Sequence, residues 1–262
     1  MWTREIIKER AKNVLSKSYW TAFLISLILT FFAGGNNNGF SFNFSIPFNP
    51  PNNSGFGSEN IPNQPPPNFF ESLPVFAINT SIIFALLMII FAICYRTFLG
   101  NALITGGKKF FVQSAQNNVN MNNIGFSFNK QRYMDIVKSM LCKDVLIFLW
   151  TLLLIVPGII KWYAYFMVPY ILADNPNIGY RRALELSENM TEGHKLDMFV
   201  LDLSFLGWLL LGLLACLIGQ LFVIPYIEST YAQLYLILRK NALEKNLCTM
   251  EELGLVVPQV AE

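Results

Sequence analysis

The sequence predicts an all-α polytopic membrane helix bundle: about six short transmembrane helices, with amphipathic helices on the cytoplasmic side. Three observations predict it. Apolar residues make up 53% of the 262 residues and charged residues only 14%, whereas soluble chains carry about 25% charge. The mean hydropathy is +0.42, and the apolar residues are gathered into long blocks. The Lys and Arg residues fall unevenly between those blocks. Together these exclude a soluble cytosolic enzyme, a coiled coil and a disordered chain. A formal charge of +2 provides no basic stripe, so no nucleic-acid partner is expected.

Residues 1–18 predict an amphipathic interfacial helix. Trp2, Ile6, Ile7, Ala11, Val14 and Leu15 recur at helical spacing, with Lys and Arg on the other face. That pattern suits a helix lying on an anionic leaflet. Residues 19–33 are the first transmembrane helix, short but uncharged. A basic start before a short apolar run also suits a secretory signal, but Phe31–Gly35 is a poor cleavage site. Residues 34–72 are an extracellular loop with ten Asn, seven Pro and no basic residue, a composition that buries no core. The alternation over 40–44 suggests a short strand or a surface-hugging stretch within it. The loop is either an exposed binding tip or a tolerated insertion.

Residues 73–238 hold the rest of the bundle, and 239–262 are a cytoplasmic tail. Leu73–Tyr95 is a full-length span opened by Pro74. Val145–Ala173 would be about 43 Å long as one helix, beyond the ~30 Å of hydrocarbon. A break is expected at Pro157-Gly158, giving either one kinked span or a tight hairpin with Lys161 and Trp162 near its tip. Phe199–Leu238 is long enough for two spans meeting near Gly219-Gln220. Between the blocks, an amphipathic helix is expected after Asn175-Pro176, with Asn175 as cap. Another is expected over about 128–143.

Charge bias sets the orientation. Five Lys/Arg precede Tyr19, none lies in 34–72, and seven lie between Arg96 and Lys143. The N-terminus and the middle segment are therefore inside. Placing Arg181, Arg182 and Arg239 inside as well requires the last two blocks to cross twice each. That yields six spans with both termini cytoplasmic. The alternative of four spans puts the Arg181 segment outside.

Charges within apolar blocks are the candidate functional residues, because each is costly in lipid. They are Asp202, Glu228, Lys161 and Arg96. Asp202 and Glu228 lie on segments that a hairpin would bring together. They form either a polar pathway for a proton or cation, or structural ties to Lys161, Arg96 or a Tyr hydroxyl. No cofactor or metal site is expected, since there is one histidine, His194, and no CxxC among Cys94, Cys142, Cys216 and Cys248. An acidic cluster of Asp197, Asp202 and Glu228 with His194 lacks any nucleophile elbow, HExxH or phosphate-cradling loop, so no enzyme is expected.

Two stretches share a plan. AKNVLSKSYWTAFLISL and ALELSENMTEGHKLDMFVLDL each run from an amphipathic helix through a polar elbow into a span, which suggests an internal repeat. The stretch LLLIVPGIIKWYAYFMVPYILADNPNIGYRRALELSENMTEGHK, with FVLDLSFLGWLLLGLL and IPYIESTYAQLYLILR, resembles the bacterial integral-membrane family catalogued as domain of unknown function 975. The N-terminal AKNVLSKSYWTAFLISL resembles that family's opening. The PGII turn and ALELS-type helix also resemble, more faintly, the membrane domain of some glycerophosphodiesterases. The resemblance implies a multi-pass protein of a bacterial cell membrane and lends no catalytic residues. The expected role is a non-enzymatic membrane scaffold, its partners the lipid bilayer and, through the N-terminal helix, anionic lipids. The alternative is a small transporter or an accessory transporter subunit.

Overall fold

The computed structural model describes residues 2–32, 68–214 and 218–255. The described residues are all-α, with no strand among them. Most of the loop 34–72, including the expected strand at 40–44, lies outside them, as does Cys216. The chain divides into two units, residues 42–95 and the remainder.

Helix α1 spans Arg4–Phe32 and joins the predicted amphipathic and membrane segments, bending at Ser18 where φ is −141° and ψ 28°. Its first half does not keep its apolar face for a leaflet. Ile7, Ala11 and Leu15 are buried in the protein core, because they pack toward helix α9 (Ile218–Glu244). Helix α2, Asn68–Tyr95, belongs to the smaller unit. Every residue from 81 to 95 is exposed and residues 82–94 are all apolar, so this stretch has no polar face to offer water.

A π-helical turn at Arg96–Gly100 leads into α3, Asn101–Ala115. Here the structure departs from the sequence reading. The segment from Arg96 to Lys143 was expected to lie outside the bundle, yet α3 runs through the core against α1, α6 and α9. The sequence disguises it because Lys108 and Lys109 interrupt its apolar run. Glycines allow its close packing: a Cβ on Gly107 would collide with Leu29 Cδ1, and one on Gly106 with the Ile124 carbonyl oxygen. Ile124 belongs to a 3-10 segment, Met121–Phe128.

Helix α4, Lys130–Leu153, starts at Asn129, whose side chain accepts from the Gln131 N–H at 3.3 Å. It continues without interruption from the basic segment into the apolar block. Helix α5 is Ile155–Ala164 and α6 is Val168–Asp174. The break therefore falls at Leu154, three residues before Pro157. A proline ring clashes with the carbonyl four residues earlier, and a helix start needs no N–H there. The chain stops at Leu153 and places Pro157 in the first turn of the next helix. The hairpin tip is accordingly Leu154, not Lys161. Its legs touch, since a Cβ on Gly158 would lie 2.7 Å from Thr151 Cα.

Helix α7, Tyr180–Thr191, begins later than expected. Asn175 caps a turn, accepting from the Asn177 N–H at 3.0 Å, and the chain enters α7 through Gly179 at φ +82°. Ala183, Leu186 and Met190 are buried, as their spacing predicts. Helix α8 is Lys195–Leu214. The elbow of α1 is a bend within one helix, whereas α7 and α8 are separated by Glu192–His194, with Gly193 at φ +77°.

Four stretches among the described residues are long and apolar enough to cross a membrane: Arg4–Phe32, Ser81–Ala115, Ile155–Asp174 and Leu221–Glu244. Helix α5 has 10 residues, about 15 Å at ~1.5 Å per residue, half of a ~30 Å core.

Candidate functional site

The core of the larger unit holds a thread of charge and aromatic rings. It starts on α3, where Asn101, Thr105 and Lys108 share one buried face. Lys108 Nζ donates to Glu228 Oε2 of α9 at 2.6 Å, and both side chains are essentially inaccessible. The ammonium also lies 5.0 Å from the Tyr170 ring centroid. Tyr170, on α6, stacks on Tyr235 of α9 at 5.3 Å. The Tyr235 hydroxyl donates to Asp174 Oδ2 at 2.6 Å, and Arg239 Nη1 donates to the same oxygen at 2.8 Å. The thread thus joins three helices from the interior to the partly exposed Arg239. A lone buried charge would cost several kcal/mol; a hydrogen-bonded pair avoids most of that.

The other candidates are held separately. Asp202 of α8 accepts from the Tyr163 hydroxyl of α5 at 2.7 Å. Lys161 donates to Glu188 of α7 at 2.6 Å, with the Tyr165 ring 5.5 Å away. Arg96 stands at the start of the π-helical turn. Asp202 and Glu228 lie on neighbouring helices, but each is committed to a different partner. Neither lines either of the two clefts described below. His194 lies half-buried with its ring 6.1 Å from that of Trp2. Among the described residues no three His, Cys, Asp or Glu side chains group to hold a metal ion. Cys94, Cys142 and Cys248 are free thiols.

Sequence reasoning missed three features. The first is Lys108, counted with the cytoplasmic charge. Its signal was a lysine pair amid the apolar residues of LITGGKKFFV. The second is Ser187, in the ALELS motif. Its hydroxyl donates to the Ala164 carbonyl at 2.7 Å and accepts from the Met167 N–H at 3.2 Å. It thereby satisfies backbone groups left open between α5 and α6. The third is the clamp on the tail. Arg182 engages both carboxylate oxygens of Glu252 and donates to the Leu247 carbonyl at 2.7 Å. Hydrogen bonds from Arg182 hold the Glu252 carboxyl below its ordinary range. Residues 245–255 fold back on the body, with Leu253 fully buried.

Two clefts flank α1. One of about 850 Å³ lies between α1, α9 and the end of α3, lined by Trp2, Arg10, Lys17, Gln233, Lys240 and Glu244 among others. Cations outnumber the single carboxylate there. The other, about 470 Å³, is mostly apolar and is lined by Tyr19, Trp208, Phe222 and Tyr226, with Lys12 and Ser16 also contributing. Lys8 points elsewhere, donating to Ser204 of α8 at 2.8 Å and lying over the Phe205 ring.

The stretch that carried the resemblance contains α5, α6, α7, α8 and most of α9. Residues 152–242 match the family described as Protein of unknown function (DUF975). Over this stretch the chain is similar to that family. Both partners of the Tyr163–Asp202 bond, Ser187 with its two backbone partners, and Glu228 lie inside it. Lys108 and the N-terminal stretch that resembles the family's opening lie outside it. No curated protein and no solved structure matches the chain.

Proposed function

We propose that this protein is a multi-pass membrane protein with a non-enzymatic, organising role. One observation supports this above the others: the fully buried Lys108–Glu228 pair is bonded within a packed core, the arrangement of a structural tie. The exposed apolar stretches 81–95 and 145–160 suit lipid as their solvent. The cationic cleft beside α1 suits anionic headgroups on the cytoplasmic face, with both termini on that side, following the positive-inside bias. Because Ile7, Ala11 and Leu15 belong to the core, removing residues 1–18 would unfold the protein. The informative variant is Arg10→Glu with Lys17→Glu. It should weaken flotation with phosphatidylglycerol vesicles and leave neutral vesicles unaffected; unchanged binding to anionic vesicles would count against the headgroup contact.

A second reading, a small transporter, draws on the same pair, since buried intramembrane charges also serve proton and cation pathways. The double variant Lys108→Met/Glu228→Leu separates the two. A structural tie predicts near-normal folding and normal growth. A charge-coupled transporter predicts a folded protein with abolished proton or sodium flux in proteoliposomes.

A further inference from the structure

The α4–α5 hairpin presents a continuous apolar surface. From Val145 to Ile160 the sequence carries no charged residue. At its tip Leu152, Leu153, Leu154, Ile155 and Val156 are all at least 62% exposed. The legs are short: nine residues from Val145 to Leu153 rise about 13 Å, and six from Ile155 to Ile160 about 9 Å, at ~1.5 Å per residue. A leaflet is about 15 Å deep, half of the ~30 Å core. Charge brackets the wedge, with Lys143 beside Asp144 at 3.3 Å on α4 and Lys161 bonded to Glu188 at 2.6 Å on α5. Trp162 follows Lys161 at the base of α5, and the Lys161 ammonium lies 5.8 Å from the ring of Trp150, part-way along the α4 leg. Trp and Lys favour the interface between hydrocarbon and water.

The turn also suits a dry environment. The Leu154 N–H donates to the Trp150 carbonyl at 3.0 Å, and the Leu154 carbonyl accepts from the Gly158 N–H at 3.1 Å. Thr151 donates to the Ile147 carbonyl at 2.8 Å. Pro157 has no N–H to leave open. Both backbone groups of Leu154 are therefore bonded at the turn, as hydrocarbon requires of each such group. Beyond α5 the chain leaves the outer surface altogether, since residues 163–173 are buried inside the protein.

We infer that the α4–α5 hairpin is a re-entrant wedge, entering the acyl chains of one leaflet and returning to the same face. The inference rests on the membrane reading above. It keeps the Arg96–Lys143 segment and the Arg181 segment on one side, as the charge bias requires, without two crossings.

The test uses full-length chains carrying one cysteine each, Lys138→Cys, Leu154→Cys or Arg181→Cys, with the four native cysteines replaced by alanine. A membrane-impermeant maleimide is applied to right-side-out and inverted vesicles, and then after detergent. The wedge predicts that Cys at 138 and 181 label from the same face only. Cys at 154 labels from neither face and becomes reactive in detergent. A bimane at 154 should be quenched by nitroxide-bearing lipids. Labelling at 154 from the opposite face would mean two crossings and overturn the wedge. Labelling of 138 and 181 from opposite faces would mean one crossing and overturn it too. Cross-linking between two chains at 154, with no quenching by lipid, would make a second copy the occupant instead. Release of the protein by alkaline carbonate would overturn the membrane reading itself, so the two failures are distinct.

Discussion

The thread through α3, α6 and α9 and the hairpin of α4 and α5 are opposites. The thread buries charge and makes hydrogen bonds across helices. The hairpin exposes apolar surface, and its polar contacts lie at its base. Yet both are built from segments with apolar runs. The difference lies in what surrounds them: helices on all sides of Lys108, and almost nothing around Leu154. A charge is tolerated in the first because a partner is positioned for it. Its absence from the second is what an apolar solvent would demand.

The largest test of that contrast is to strand one half of the buried pair. Lys108→Met or Glu228→Leu alone leaves an unpaired buried charge and should cost about 3–5 kcal/mol. A lowered thermal midpoint in detergent, largely restored in the double variant, is the expected result. A double variant as unstable as either single one would show that the pair does more than neutralise itself.

Next comes the tie between the hairpin's base and α8. Tyr163→Phe removes the hydroxyl that Asp202 accepts, and should cost about 1.5–3 kcal/mol for a hydrogen bond to a charged group. A smaller loss would show that Asp202 finds water and that the hairpin's base is wet.

Within the hairpin, Gly158→Ala places a methyl group against the Thr151 backbone and should cost about 1–3 kcal/mol through overpacking. Proteolysis in detergent should show the legs parting near Leu154 while the thread stays intact. Loss of both together would mean that the two regions fold as one.

The smallest effect concerns the tail. Hydrogen bonds from Arg182 lower the pKa of Glu252 in the folded state. Its stabilising contribution is therefore present above the ordinary glutamate value and is lost as pH falls through the lowered one. The clamp is partly solvated, so the effect should stay within about 1 kcal/mol. Hydrogen exchange at residues 245–255 should accelerate below about pH 4. Glu252→Gln should show fast exchange at neutral pH and little further change on acidification.

Much of the helix plan was legible. The apolar blocks, the bend after Lys17 and the buried face of α7 all follow from spacing and hydropathy, whereas the separate partners of Asp202 and Glu228 do not. The misreadings share a cause: local pattern cannot report a neighbour. Lys108 resembled a cytoplasmic charge because its partner lies 120 positions away. The apolar face of α1 resembled a leaflet-binding surface because nothing local reveals that α9 covers it. Pro157 announced a break but did not place it, because the clash falls on the preceding turn.

The sequence by itself determined an all-α chain, where its apolar blocks lie, how its basic residues are biased, and which charges would be costly among them. These depend on composition and periodicity, which act over a few residues. Only the tertiary structure decided which charge meets which, that α3 is core, and that the break within Val145–Ala173 falls at Leu154. Those outcomes depend on contacts between helices far apart in the chain, set by glycine clearances and by hydroxyls such as Ser187 that close open backbone groups.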